Sequence, residues 1–178
     1  MKRSILALVA PVVLVFGTLA TLNAQQPQIP TLQVCNVTGV KGSGFVKIPR
    51  RSDAAHLGTF EVRVELRCDP RAGYPAGTLS IKVDMSDSVA QGLITATALE
   101  QVTSTGKHTP TAYINGRCKA DQVSGCRFWL TLTDNKRLEE RAAPDIVGFL
   151  VLNGVGQRVA YGFGPVVDGD IVVAPTSN

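Results

Sequence analysis

The chain has 178 residues, with 18 lysines and arginines against 14 aspartates and glutamates. This modest excess of positive charge, without a basic cluster or stripe, argues against a general nucleic-acid binder. A chain of this length is the size of one ordinary domain with room for a real core.

Residues 1–24 have the features of a secretory signal peptide. Lys2 and Arg3 give a positively charged start, and a mostly apolar run follows at 5–16. That run is too short for a typical membrane span, so an uncleaved anchor is the weaker alternative. We expect a secreted or periplasmic protein, cleaved at the end of this segment or after Ala20, with no membrane span in the mature chain. Residues 25–31 are expected to form an extended arm.

The number and spacing of the four cysteines distinguish three possible roles for them: metal binding, redox chemistry and disulfide formation. They are Cys35, Cys68, Cys118 and Cys126. The even number in an exported chain favours disulfides, and the lack of a CxxC motif or of a histidine beside a cysteine disfavours zinc and redox sites. We predict the pairs Cys118–Cys126 and Cys35–Cys68, with the other two connectivities as alternatives, and no cofactor or metal.

The rest of the chain alternates between apolar and polar residues. The clearest strands are Phe60–Cys68 and Leu79–Met85, which the turn-rich "DPRAGYPAG" joins as a hairpin. Further strands are predicted at 32–37, 45–48, 93–103, 111–118, 126–133, 145–152, 158–163 and 166–173. The sequence therefore predicts an all-β fold over 32–175, a single two-layer antiparallel β-sandwich of immunoglobulin-like architecture with disulfide cross-links.

Three later segments add detail to this prediction. "NKRLEERAAPD", residues 135–145, is expected to be a surface loop, and "DGD", residues 168–170, a hairpin turn. "IVGFLVL", residues 146–152, is apolar on both faces, which is typical of a central strand or of one covered by a partner.

The cysteine pair also predicts a register. If Cys118 lies opposite Cys126, then Arg117 faces Arg127 and Asn115 faces Trp129 on the outer side of the sheet. An acidic group is expected near the two arginines, supplied by Glu61, Glu65 or Asp84 on another strand or by a ligand. The candidate ligand-binding residues are Tyr113, Asn115, Arg117, Arg127 and Trp129.

Three hypotheses for function follow. An aromatic ring flanked by amide and guanidinium donors favours a non-enzymatic binding or surface-recognition module for glycans, small anionic groups or a protein surface. A structural subunit that assembles through edge strands is the first alternative. The second is a hydrolase, but GxSxG, HExxH and P-loop motifs are missing and the two histidines lie in loop-like stretches, so no catalytic residue is predicted.

Overall fold

The computed structural model describes residues 34–49, 57–69, 71, 73–85, 88–135 and 143–175. The predicted signal peptide, the predicted arm and residues 136–142 of the predicted surface loop lie outside the described residues.

Nine β-strands make up the described fold. They are β1 (Val34–Asn36), β2 (Gly39–Pro49), β3 (Leu57–Cys68), β4 (Pro75–Asp84), β5 (Gly92–Thr105), β6 (Thr111–Ala120), β7 (Val123–Thr133), β8 (Ile146–Asn153) and β9 (Arg158–Ala174). Each strand from β2 to β8 pairs antiparallel with the next one in the chain. The all-β prediction is confirmed, as is the predicted hairpin, now β3 and β4.

The sheet closes on itself, because β9 also pairs with β2. The result is a closed barrel of eight antiparallel strands and not the predicted two-layer sandwich. Both architectures produce the same alternation of apolar and polar residues, so the sequence pattern did not distinguish them.

The hydrophobic core fills the inside of the barrel. Every second residue of β3 from Phe60 to Leu66 is buried, and the neighbouring strands repeat this pattern. Phe60 packs edge to face on Phe149 of β8, with ring centroids 4.8 Å apart. Since β2 and β9 separate these two strands in the sheet, the contact spans the interior. Eight strands give a barrel whose interior side chains can fill, as they do here.

β9 is the strand that closes the barrel, and it changes partner along its length. Its first half pairs with β8, and its second half, from Val166 onward, pairs with β2. Gly169 lies within this strand at φ 104°, and a β-carbon there would lie 2.2 Å from the carbonyl oxygen of Ser43. The predicted "DGD" hairpin turn is therefore wrong: the glycine allows a close strand approach inside one continuous bent strand.

Two buried aspartates accept hydrogen bonds from the edge of β9, beyond the residues of β9 that pair with β8. Asp145 is fully buried, and its Oδ2 accepts a hydrogen bond of 2.9 Å from the backbone N–H of Ile171. Asp134 Oδ2 accepts one of 3.2 Å from Val173. These carboxylates provide acceptors for backbone donors that would otherwise be buried without a partner.

Both predicted disulfides are present. Cys118 and Cys126 link β6 to β7 with their Cα atoms 4.9 Å apart, and Cys35 and Cys68 link β1 to the end of β3 with a Cα separation of 5.5 Å. β1 itself pairs parallel with residues 101–103 of β5. Structural disulfides of this kind indicate an oxidising compartment.

Candidate functional site

The predicted register of the β6–β7 hairpin is confirmed. Cys118 lies opposite Cys126, Arg117 opposite Arg127, and Asn115 opposite Trp129. Phe128 and Leu130, the residues on either side of Trp129, are buried in the barrel. Because side chains alternate along a strand, Trp129 points to the outside, where it is 41% exposed.

Tyr113 lies one residue pair further along the same hairpin. It faces Thr131 and is 44% exposed, so it is a diagonal neighbour of Trp129 on the outer surface. The five candidate residues thus share one outer face of β6 and β7. Two exposed aromatic rings on adjacent strands form a surface on which a flat or ring-shaped ligand can stack.

Glu100 supplies the acidic group expected near the two arginines. Its carboxylate accepts a bond of 3.0 Å from Arg117 Nε and one of 2.5 Å from Arg127 Nη2. Burial raises the pKa of Glu100, but the hydrogen bonds and the charges of the two arginines outweigh burial and hold its pKa below the ordinary 4.5. Glu100 was not among the acids that the sequence suggested.

Irregularities in β5 explain why Glu100 reaches the arginines. The register between β5 and β6 shifts between Ala96 and Ala98 and again between Leu99 and Gln101, so Glu100 is an extra residue with no cross-strand partner. A β-carbon on Gly116 of β6 would lie 2.0 Å from the carbonyl oxygen of Ala98, so the strands can come this close only at a glycine.

Asn115 is also held in place by β5. Its Nδ2 donates a hydrogen bond of 2.7 Å to Oε1 of Gln101, whose own Nε2 donates to Thr103 Oγ1 at 3.3 Å. A row of amide and hydroxyl groups therefore borders the aromatic residues. Such groups form hydrogen bonds with hydroxyl-bearing ligands and need no change of charge to do so.

The aromatic surface continues across β8 and β9. The cross-strand row that begins with Asn115 and Trp129 passes through Leu150 to Tyr161. The row that begins with Tyr113 ends at Phe163, which is 68% exposed. We call the outer surface carrying Tyr113, Trp129, Leu150, Tyr161 and Phe163 the aromatic face.

Glycine shapes this surface at one point. A β-carbon on Gly148 of β8 would lie 2.8 Å from the Phe163 ring, so the ring lies over the glycine. The outward residues of β8 are part of the aromatic face. This explains why "IVGFLVL" is apolar on both sides.

A third arginine borders the aromatic face. Arg158, at the start of β9, lies opposite Leu152, the next outward residue after Leu150. Its guanidinium carbon is 4.4 Å from the centroid of the Tyr161 ring, within the range of a cation–π contact. In the described part of the chain no carboxylate forms an ion pair with Arg158. The sequence missed Tyr161, Phe163 and Arg158 because their distance from β6 depends on the pairing of β8 with β9.

Other candidate chemistry has less support. Among the described residues, no group of three or more histidine, cysteine, aspartate or glutamate side chains could hold a metal ion. His108 is exposed in the β5–β6 connection, and His56 lies outside the described residues. Asp168 and Asp170 are exposed on β9.

Comparison with protein-family models, with curated proteins and with solved structures found no match. The ranges that the structure describes include no apolar helix of membrane-spanning length.

Proposed function

We propose that this chain is an exported, non-enzymatic binding module that recognises glycans through its aromatic face. One observation carries the proposal: Tyr113 and Trp129 lie exposed as diagonal neighbours on β6 and β7, next to the hydrogen-bonded amides of Asn115 and Gln101. Aromatic rings stack on the apolar faces of sugars, while amides bind the hydroxyl groups at their edges.

At the edge of the face formed by Arg117 and Arg127, the charges favour a neutral sugar ring over a small anion as the main determinant. Arg117 and Arg127 share the carboxylate of Glu100, so their positive charge is partly neutralised before any ligand binds. The ion pairs also fix the two guanidinium groups beside the rings. Side chains held in place before binding lose less conformational entropy when the ligand arrives.

A glycan array probed with the mature, oxidised protein tests this proposal. We expect glycan binding that is lost in Trp129→Ala, while the thermal midpoint changes little because the indole is 41% exposed. Tyr74→Ala is the matched control, since Tyr74 is a comparably exposed aromatic residue outside the aromatic face. Glycan binding that survives Trp129→Ala would contradict the proposal, as would a complete lack of glycan binding.

Assembly of copies of the chain is the second candidate function, and the exposure of Phe163 favours it. An exposed ring beside the half-buried Leu150 is the kind of apolar patch that protein interfaces cover. Light scattering over a range of concentrations distinguishes the two functions. A stable monomer supports the binding module, whereas an oligomer that Phe163→Ser dissociates would support assembly. No arrangement among the described residues favours the hydrolase hypothesis.

A further inference from the structure

A pocket lies on a different part of the outer surface, where β9, β2, β3 and β4 meet at one end of the barrel. It has a volume of about 480 Å³, within the range of small-molecule sites. Its lining includes four small residues, Gly39, Ala76, Gly77 and Ala174, near the ends of their strands. Gly39 lies opposite Ala174 in the β2–β9 ladder, so two neighbouring strands place no long side chain there. We call this cavity the end pocket.

The pocket lining also includes the apolar residues Val40, Leu66 and Val172, and three charged side chains surround it. Lys41, Glu65 and Arg67 line the pocket, and Lys41 lies directly opposite Glu65 in the β2–β3 ladder. All three are exposed, and none of them forms an ion pair with another described residue. The pocket therefore combines an apolar depression with a net charge of one positive unit.

The end pocket adjoins a larger trough that is lined by more polar residues. The two cavities share Lys41, Glu65, Thr78 and Val172. The trough continues past Ser43, Ser80 and Asp170, and past Arg63 and Glu61, which form an ion pair with each other. A ligand can therefore place its apolar part among the small residues while its charged end stays near Lys41 and in contact with water. This arrangement lowers the desolvation cost of binding a charged group.

We propose that the end pocket binds a small apolar carboxylic acid, one molecule per chain. The hydrocarbon part contacts Gly39, Ala76 and Ala174, and the carboxylate pairs with Lys41 and Arg67. The ligand's single negative charge complements the single positive charge of the pocket. This site is independent of the aromatic face, so the two proposals can fail separately.

Isothermal titration calorimetry with octanoate tests the proposal on the mature, disulfide-bonded protein, and 1-octanol serves as the uncharged probe. We expect octanoate to bind at one site and octanol to bind about tenfold more weakly, because octanol cannot form the charge-assisted hydrogen bonds. Lys41→Gln and Arg67→Gln should each weaken octanoate binding about tenfold by the same reasoning. Glu65→Gln should strengthen it, because a repulsive charge is removed.

Gly39→Leu tests whether the ligand occupies the pocket itself. A β-carbon at Gly39 would have its nearest neighbour, the Leu66 carbonyl oxygen, at 3.7 Å, which is an ordinary contact. The leucine side chain should therefore fill the pocket without straining the backbone, and octanoate binding should be lost. Circular dichroism verifies that this variant is folded, and Lys107→Gln, a change at an exposed turn lysine, is the matched charge control.

Three results would overturn the proposal: no binding of octanoate, binding of octanol as tight as that of octanoate, or octanoate binding by folded Gly39→Leu equal to that of the unmodified protein. None of these results bears on Trp129 or on glycans, so the proposed function is judged by its own experiment.

Discussion

Replacement of the buried Asp145 by alanine should strongly destabilise the barrel. Asp145 is 0% exposed, and its two carboxylate oxygens accept hydrogen bonds of 2.9 Å from the backbone N–H groups of Asn135 and Ile171. Alanine removes both acceptors and leaves the Ile171 donor buried without a partner. A hydrogen bond to a charged group contributes about 1.5 to 3 kcal/mol, so we expect the free energy of unfolding to fall by about 3 to 5 kcal/mol.

Urea unfolding followed by circular dichroism measures this loss, and the thermal midpoint should fall by about 10 °C. Asp145→Asn keeps one acceptor oxygen and should lose about half as much stability. Asp168→Ala is the matched control, because Asp168 is an exposed aspartate on β9 and its loss should change stability by less than about 0.5 kcal/mol. If Asp145→Ala unfolds like Asp168→Ala, the Asp145 carboxylate does not stabilise the edge of β9.

Three further predictions concern Glu100, Gly116 and the β1 disulfide. Because the pKa of Glu100 is lowered in the folded state, its stabilising effect is complete above the ordinary glutamate pKa and disappears as the pH falls through the lowered value. Acid titration of stability should therefore be less steep in Glu100→Gln, and an unchanged acid profile would contradict this. Gly116→Ala should cost about 2 kcal/mol or more in urea unfolding, because its β-carbon would clash with the Ala98 carbonyl oxygen; a neutral effect would show that β5 does not come this close. Replacing Cys35 and Cys68 together by serine should cost about 3.5 kcal/mol from loop entropy, with unchanged unfolding of the double variant as the opposing result.

The register of the β6–β7 hairpin could be predicted from the sequence because one disulfide, between Cys118 and Cys126, fixes it. Once Cys118 is placed opposite Cys126, the two-residue period of a strand assigns every neighbour to a face. That reasoning correctly placed Trp129 outside and Phe128 inside. It worked because the ladder is regular from Thr111 to Cys118.

The two-residue period could not predict the register of β5 or the closure of the barrel. Two register shifts in β5 place Glu100 beside the arginines, and a strict two-residue period does not reveal an extra residue. Closure of the barrel depends on the second half of β9 pairing with β2 instead of β8, and β2 and β9 are far apart in the chain. Gly169 looked like a turn residue because glycine serves both turns and close strand approaches, and only the tertiary structure distinguishes these uses.

Tryptophan fluorescence tests the central claim most directly, because Trp129 is the only tryptophan in the chain and lies at the centre of the proposed site. Titration with a glycan selected on the array should change the Trp129 emission saturably, with the same dissociation constant that calorimetry gives for binding. A glycan that binds by calorimetry while the emission stays constant would show that the ligand does not contact the aromatic face, which contradicts the proposed site.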